Sequence, residues 1–276
     1  MNKMSIALNP IAFSLGPILV HWYGIFIATA VLIAVYLSVK EGRKRGIQPD
    51  NIYDMILWAL PVAIICARIY YVVFQWSYYS QHLNEIVKIW DGGIAIYGAL
   101  IGAFVVVFLY CRSKLISVWA MLDVIAPTVI MGQGIGRWGN FMNQEAFGKI
   151  TSLAFLKSLH LPNFIINQMF IQGFYRQPTF LYESLWDLLG FVLLMNLRQI
   201  QGFFKRGEVV LSYVIWYSFG RFFVEGMRTD SLMLFGGIRV SQLLSIILFL
   251  GAIGLMIYRR KNDSDLPYYL DGSKLQ

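Results

Sequence analysis

The sequence carries little charge for its length. Only 14% of its 276 residues are charged, whereas soluble domains usually carry about a quarter. Hydrophobic residues make up 58% of the chain, and the mean hydropathy is +0.59. Apolar runs of about 20 residues recur along the chain, and that length crosses about 30 Å of hydrocarbon. We therefore predict a polytopic integral membrane protein and exclude an ordinary soluble domain.

Cysteine is also scarce, with two residues in the whole chain. Cys66 and Cys111 lie in apolar runs without metal-ligand spacing, so we interpret both as small core residues rather than a disulfide or a nucleophile. No cluster of metal ligands stands out, and we expect neither a metal nor another cofactor. The first apolar run has no A-x-A-like site after it, so we do not expect a cleavable signal peptide.

Seven apolar runs predict an all-α fold with about seven transmembrane helices in one domain, residues 1–276. The link between the fourth and fifth runs, about 137–178, mixes aromatic and amide residues. It includes an amphipathic stretch from Phe155 to Phe170, and we expect it to form a small extracytoplasmic cap. A cytoplasmic tail is expected from about 259 to 276. The predicted spans are 17–39, 52–74, 93–111, 117–135, 179–197, 208–226 and 238–258.

The net charge of +8 is concentrated in short links between the apolar runs. This distribution favours the lipid bilayer, and not a nucleic acid, as the partner of the basic residues. Short basic loops face the cytoplasm, so we predict the N-terminus and the cap outside and the C-terminus inside. The residues assigned to the cytoplasmic side are Lys40, Arg43, Lys44, Arg45, Arg112, Lys114, Arg198, Lys205, Arg206, Arg259, Arg260 and Lys261.

Several ionisable residues fall within or at the ends of the predicted spans. A charge at the bilayer centre costs about 2.5–3.5 kcal/mol on insertion scales, so each is a candidate for a site. The alternatives are interfacial snorkelling and a structural ion pair inside the bundle, and the sequence leaves them open. These residues are Asp54, Arg68, Asp123, Glu183, Asp187, Arg221 and Glu225.

The sixth span carries a polar stripe near its end. Tyr217, Arg221 and Glu225 follow one another at four-residue intervals, which places them on one helical face. Arg228 follows near the outer boundary. The stripe is either a structural ion-pair ladder or the lining of a polar cavity for an anion, and we favour the cavity.

The fourth span ends in a glycine-rich segment around Arg137 and Asn140. It contains G-x-G-x-x-G, but a dinucleotide site requires a preceding strand in a βαβ unit, and here a membrane span precedes it. The glycines instead favour close helix packing. An arginine at this depth presents a planar fork that suits a phosphate group.

Polar or aromatic residues also mark the outer ends of two other spans. Tyr97 lies beside Gly98 and Gly102, whose spacing predicts helix packing. Tyr97 is either an interfacial aromatic or a proton donor in a cavity. His21 and Tyr23, at the start of the first span, are more stable if they face a wet cavity.

Together these segments resemble the prolipoprotein diacylglyceryl transferase family (phosphatidylglycerol–prolipoprotein diacylglyceryl transferase). The resemblance covers residues 10 to 260 and includes the family signature G-R-x-G-N-F-x-N. The blocks, in order, are His21 to Gly24, Trp90 to Gly93, Gly136 to Asn143 with Glu145 and Gly148, Gln177 to Glu183, and Arg221 with Glu225 and Arg228.

The resemblance implies a seven-helix enzyme of the bacterial cytoplasmic membrane, with its active site facing the outer leaflet. Such an enzyme moves the diacylglyceryl group of phosphatidylglycerol onto the lipobox cysteine of a preprolipoprotein, leaving a thioether and releasing glycerol phosphate. By motif, the catalytic residues would be Arg137, Arg221, Tyr97 and Tyr23. The substrate-binding residues would be Arg137, Asn140, His21, Glu145, Gly148, Glu225 and Arg228.

The chain departs from the family pattern at one position. Many members carry histidine where this chain has Tyr97, and a phenol with a pKa of about 10 is a poor base at neutral pH. We therefore expect positioning and leaving-group stabilisation to contribute more than proton abstraction. A transporter or channel with an arginine-lined path is the alternative function, but such proteins often show internal repeats, and none is visible.

Overall fold

A computed structural model describes residues 7–16, 18–229, 233, 239–262 and 265–271. Within these residues the chain is mostly helical, and six helices are long and apolar enough to cross a membrane. The predicted sixth span, 208–226, forms a helix of the expected length, but Arg221 and Glu225 lower its hydropathy and it is not among the six.

The described chain consists of long helices and of short elements that lie before the first helix and in two of the links between helices. The long helices are α1 (Trp22–Lys44), α2 (Pro49–Phe74), α4 (Ile96–Ser113), α5 (Val118–Asn143), α8 (Thr179–Leu197), α9 (Glu208–Met227) and α10 (Val240–Asn262). The short elements are β1 (Ile11–Leu15), β2 (Ile18–His21), α3 (Trp76–Tyr79), two 3₁₀ turns (Leu83–Glu85 and Ile89–Asp91), α6 (Leu153–Ser158), α7 (Asn163–Gln168), β3 (Phe170–Ile171) and β4 (Phe174–Tyr175).

Several boundaries differ from those predicted, and three of them affect the N-terminal segment, the cap and the tail. The predicted starts at 17 and 238 lie outside the described residues; α1 begins only at Trp22, because β1 and β2 form an antiparallel hairpin before it. This hairpin and the β3–β4 hairpin are small additions to the predicted all-α fold. Helix α5 continues past the predicted 135 to Asn143, so residues 137–143 belong to a helix and not to the cap. Helix α10 likewise extends past 259 to Asn262.

The chain divides into two compact units, one of described residues up to Leu37 and from Asp123 to Leu270, the other from Ser38 to Leu122 with Asp271. In the first unit, α8 and α9 are joined by a reciprocal pair of tryptophans. The rings of Trp186 and Trp216 stack with centroids 4.2 Å apart. Each indole Nε1 donates to the other residue's carbonyl oxygen at 3.0 Å. The pair sets the register between the two helices.

The N-terminus of α9 is held by a buried aspartate from α5. The Asp123 carboxylate, which is 0% exposed, accepts from the backbone N–H groups of Gly207 at 2.5 Å and Val210 at 2.9 Å. A carboxylate at a helix N-terminus satisfies donors that the helix itself leaves free. Asp123 therefore has the structural role that the sequence left open.

The described end of the chain folds back onto the link between α8 and α9. The backbone N–H of Arg206 donates to the carbonyl oxygen of Pro267 at 3.0 Å, and that of Tyr269 donates to Phe204 at 2.8 Å. The ring of Tyr269 is buried in a cluster with Ile130. Backbone hydrogen bonds and the burial of Tyr269 hold this segment against the link between α8 and α9.

The residues between α5 and α8 form a folded layer over the end of α5. Its buried side chains share an apolar cluster with α5 and α8. Gln168, 1% exposed, donates to the carbonyl oxygens of Phe141 at 3.0 Å and Met142 at 3.2 Å and accepts from the N–H of Leu8 at 2.8 Å. The cluster consists of Phe141, Leu156, Ile165, Ile166, Met169, Ile171 and Phe180.

In the second unit, Arg68 is bonded entirely to backbone carbonyls. Its guanidinium donates to the carbonyl oxygens of Glu85, Ile86, Gly92 and Gly93 at 2.7–2.8 Å. Four carbonyl dipoles replace water around the buried cation, so Arg68 is structural and holds the segment that precedes α4. The helices α2 and α4 pack closely, as the glycine spacing predicted, with Gly98 against the backbone of Cys66 and Ala67.

The tryptophan pair depends on glycine at position 220. A Cβ at Gly220 would lie 2.2 Å from Trp186 Nε1, so Gly220→Ala must displace the indole that bonds α9. We expect a loss of about 1–3 kcal/mol, typical of overpacking, measured as a lower midpoint of thermal unfolding in detergent. Gly254→Ala in α10 is the matched control, because no atom lies within 4 Å of its Cβ position. Equal midpoints for the two variants would contradict the proposed dependence.

Candidate functional site

Four alternating charges link α5, α8 and α9. Glu183 Oε1 lies 2.7 Å from Arg137 Nη2 and 3.2 Å from Arg221 Nη1. Arg221 Nη2 in turn lies 2.6 Å from Glu225 Oε2. We call Arg137, Glu183, Arg221 and Glu225 the charge chain.

The charge chain is buried. The side chains of Glu183 and Glu225 are 5% and 3% exposed, and those of Arg137 and Arg221 are 19% and 16% exposed. In low dielectric, each charge requires its partner, because an unpaired one carries a large desolvation penalty. The predicted stripe of Arg221 and Glu225 is therefore an ion pair, extended by Glu183 to Arg137.

A row of polar side chains continues from Arg137 along the end of α5. Arg137 Nη1 donates to Asn140 Oδ1 at 3.5 Å, and Asn140 Nδ2 donates to Glu145 Oε2 at 3.5 Å. Asn143 Nδ2 donates to the other Glu145 oxygen at 3.3 Å. These long contacts are weak, and Glu145 is exposed. The row therefore connects the buried guanidinium to the surface through groups that can change partners.

Tyr23 of α1 packs against the same part of α5. A Cβ at Gly139 would be 2.4 Å from Tyr23 Cδ2, so only glycine admits the phenol ring at this point. The packing supports the close approach that the glycine-rich segment predicted. His21 is the exposed last residue of β2, one residue before α1 begins.

Gly148 and Arg228 are neighbours through the backbone. They form an isolated antiparallel bridge, and the N–H of Gly148 donates to the carbonyl oxygen of Gln177 at 3.0 Å. The N–H of Arg228 donates to the carbonyl oxygen of Glu225 at 3.3 Å. The bridge ties the segment after α5 to the end of α9, where the charge chain ends.

Tyr97 lies in the second unit, at the second residue of α4. It is half-buried, and its ring centroid is 6.3 Å from that of Tyr70. The other predicted site residues lie in the first unit. The functional role of Tyr97, like the roles of those residues, stays a prediction.

Sequence reasoning missed the central member of the charge chain. Glu183 was noted as an ionisable residue in the matched segment from Gln177, but it received no role. Its separation from Arg137 and Arg221 along the chain hides the contact, which only the packing of α8 against α5 and α9 creates. Arg239 was also missed; its guanidinium donates to the carbonyl oxygen of Glu225. Asp187, one turn after Glu183, is buried, and within the described part of the chain neither of its carboxylate oxygens is hydrogen-bonded.

The arrangement offers hydrogen-bond donors and not metal ligands. Among the described residues, no group of three or more His, Cys, Asp and Glu side chains is placed to hold a metal ion. Two guanidiniums converge on one carboxylate oxygen, and Arg137 Nε is buried without a hydrogen-bond partner. Planar N–H forks of this kind match carboxylate and phosphate oxygens.

The fold and this site define a class: helical membrane proteins with a buried arginine–carboxylate site. The family model of prolipoprotein diacylglyceryl transferase matches residues 10–258. The chain belongs to the prolipoprotein diacylglyceryl transferase family.

Several similar proteins carry the name phosphatidylglycerol–prolipoprotein diacylglyceryl transferase. One from Pediococcus pentosaceus is 70% identical over 276 residues, which cover 100% of this chain and 99% of the relative. One from Lactiplantibacillus plantarum is 68% identical over 99% of this chain and 97% of the relative. One from Bacillus licheniformis is 55% identical over 98% of this chain and 99% of the relative. The family expected from the sequence motifs is therefore confirmed.

Removing the shared carboxylate should destabilise the first unit. Glu183→Gln leaves the buried guanidinium of Arg137 without its carboxylate partner, and breaking a buried pair from one side costs about 3–5 kcal/mol. We expect a clearly lower midpoint of thermal unfolding in detergent.

Glu85→Gln is the matched control for this substitution. Glu85 forms an exposed pair with Lys88 at 3.7 Å, and a hydrogen bond from the Tyr78 hydroxyl lowers the pKa of its carboxyl group. Exposed pairs add little stability, so its midpoint should hardly change. A Glu183→Gln protein as stable as this control would show that the charge chain does not stabilise the fold.

Proposed function

We propose that the chain transfers the diacylglyceryl group of phosphatidylglycerol to the lipobox cysteine thiol of a prolipoprotein. A thioether forms and glycerol phosphate is released, which is the first step of bacterial lipoprotein maturation. Family membership and the names of the relatives support this transferase activity. The observation that carries the assignment of the site is the convergence of Arg137 and Arg221 on one oxygen of Glu183.

This convergence supports a role in binding the lipid phosphate. Nη2 of Arg137 and Nη1 of Arg221 both lie within 3.2 Å of Glu183 Oε1, so the two cations are held close together before any substrate arrives. A phosphate beside them would receive donors whose positions need little reorganisation. Preorganised donors of this kind stabilise charge that develops in the transition state.

The chemistry of the product determines which bond breaks. A thioether requires a bond between sulfur and a glycerol carbon, so the thiol attacks carbon and not phosphorus. The bond from the sn-3 carbon to its oxygen breaks, and that oxygen leaves on the phosphate. The leaving group is then a phosphate monoester. Its additional negative charge would develop beside the guanidiniums of Arg137 and Arg221.

Proton abstraction from the thiol contributes less in this proposal. A cysteine thiol has a pKa of about 8.5, so a few per cent is already thiolate at neutral pH. Tyr97 would position the head group through its hydroxyl and would not act as the principal base. Tyr23 is the other tyrosine that we place in catalysis.

The remaining residues of the site would bind and orient the substrates. Asn140 and Glu145 form the polar row that leads from Arg137 to the surface, and we assign them to the glycerol head. Glu225 orients Arg221. Gly148, Arg228 and His21 would complete the binding surface.

We further propose seven transmembrane spans, namely the six apolar helices together with α9. The charge chain neutralises Arg221 and Glu225, so the polar residues that lower the hydropathy of α9 need not exclude it from the bilayer. Basic residues in the last turns of α1 and α10 favour a cytoplasmic position for those ends. The N-terminus, the cap now bounded by residues 144–178, and the active site would then face outward.

The transfer reaction itself tests the function. Purified full-length protein is incubated with labelled phosphatidylglycerol and a lipobox peptide, and the peptide is analysed by mass spectrometry. The expected result is a diacylglyceryl thioether on the cysteine and free glycerol phosphate. A peptide whose cysteine is replaced by serine is the control. A protein that transports phosphatidylglycerol across the membrane without modifying the peptide would contradict the proposal.

The arginine at position 137 should require its planar fork. Arg137→Lys keeps a positive charge but loses the bidentate donor geometry, and we expect a loss of about 100-fold or more in turnover, the scale for removing one oxyanion donor. Arg137→Ala should lose at least as much, and Tyr97→Phe should lose less than either. Initial rates in the transfer assay measure all three. Near-normal turnover by Arg137→Lys would show that charge alone is sufficient at this position.

The orientation can be tested by cysteine labelling in intact spheroplasts. In a background with Cys66 and Cys111 replaced by alanine, Lys157→Cys in the cap should react with an impermeant maleimide. Lys44→Cys at the end of α1 should react only after the membrane is permeabilised. Both lysines are exposed, so a difference in labelling would report which side of the membrane each position faces. The reverse labelling pattern would place the active site on the cytoplasmic side.

A further inference from the structure

A fifth charged group, the carboxylate of Asp187, lies beside the charge chain but is not part of it. Asp187 is 0% exposed, and both of its carboxylate oxygens are buried without a hydrogen-bond partner among the described residues. It follows Glu183 by one turn of α8, so the two side chains share a helical face. The backbone at Gly134 leaves room for it, since a Cβ there would lie 3.3 Å from Asp187 Cβ.

The groups that act electrostatically on Asp187 come from all three helices of the site. Glu183 lies on its own helix, Arg137 on α5, and Arg221 on α9. Tyr213 and Tyr217 on α9 also interact with it. The hydroxyl of Tyr213 already donates to Gln133 Oε1 at 3.3 Å. Both guanidiniums pair with Glu183, and Arg221 also pairs with Glu225.

The net charge of the site disfavours an ionised Asp187 when a phosphate is bound. The two arginines of the charge chain balance its two glutamates, so the chain is neutral. An ionised Asp187 would give the charge chain and Asp187 together one net negative charge, and the phosphate diester of the lipid would add a second. Arg239 contacts the carbonyl oxygen of Glu225 and is not among the charged groups that act on Asp187. Two uncompensated negative charges in a buried region repel each other strongly.

We infer that Asp187 binds a proton whenever the lipid phosphate occupies the site, so that phosphate binding and proton binding are linked. The inference rests on the proposed function, because it takes the lipid phosphate as the ligand of the charge chain. One proton leaves a hydronium ion or a buffer acid, whose bond to that proton breaks, and forms an O–H bond on the Asp187 carboxyl group. No bond to carbon or phosphorus changes. Asp187 is the acceptor because the other two carboxylates are already held by guanidiniums. It acts as a positioning residue that keeps the site receptive to an anion.

The linkage can be measured without the transfer reaction. The dissociation constant of labelled phosphatidylglycerol is determined for the full chain in detergent, without peptide, from neutral to alkaline pH. Above the pH at which Asp187 ionises in the empty protein, the wild-type constant should rise by about tenfold per pH unit, as expected for one linked proton. Asp187→Asn, which resembles the protonated carboxyl group in shape and charge, should bind at every pH like the wild-type protein at neutral pH.

A second measurement detects the proton itself. In the pH range where wild-type affinity falls, mixing the protein with short-chain phosphatidylglycerol in weak buffer should withdraw protons, reported by a pH indicator dye. Asp187→Asn should withdraw none. Asp54→Asn is the matched control, because Asp54 is exposed, belongs to the second unit, and contacts the Tyr110 hydroxyl through its carboxylate. This control should behave like the wild-type protein.

Other outcomes separate the inference from the proposed function. Wild-type affinity that does not change with pH, or an Asp187→Asn protein with the wild-type dependence, would overturn the inference. So would an Asp187→Asn protein that is monodisperse and folded but does not bind the lipid at any pH. A protein that shows the linked proton but never modifies a lipobox peptide would instead contradict the proposed function and leave the linkage intact.

Discussion

Glu183 sits between two guanidiniums, 2.7 Å from Arg137 Nη2 and 3.2 Å from Arg221 Nη1, and three helices depend on that contact. A buried charge without a partner is unstable, so α5, α8 and α9 can pack only in a register that brings these side chains together. The stacked tryptophans of α8 and α9 impose the same register from one turn away. Stability and the position of the cations are therefore coupled.

The same coupling explains how the proposed anion site can exist inside an apolar bundle before a ligand binds. Two free arginines at this depth would each carry a large desolvation penalty, whereas the glutamates of the charge chain neutralise them. The resulting neutral site holds its N–H donors in place, and little reorganisation is required when negative charge appears nearby. Asp187 is the exception, because no described residue donates a hydrogen bond to its carboxylate oxygens.

Much of the fold could be predicted from the sequence because the bilayer imposes a simple rule on length and hydropathy. The span predicted at 179–197 coincides with α8. The structure also brings the predicted residues Arg137, Arg221 and Glu225 together through ion pairs, and their functional roles stay predictions. The β1–β2 hairpin was missed because its apolar residues continue the apolar run of α1. The end of α5 was missed because glycines usually weaken a helix, whereas here packing such as Tyr23 against Gly139 maintains it.

By itself, the sequence determined the membrane class, the family and the arginines of the site, because hydropathy and short ordered motifs are local properties of the chain. Tertiary structure alone decided what the charges contact. Arg68 and Asp123 looked like site candidates, yet backbone carbonyls surround Arg68, and backbone N–H groups at the start of α9 surround Asp123. Glu183 had no assigned role in the sequence and became the centre of the site. The physical reason is that the role of a buried charge depends on its partner. These partners lie on other segments of the chain, from 17 residues away for Arg68 to 87 residues away for Asp123.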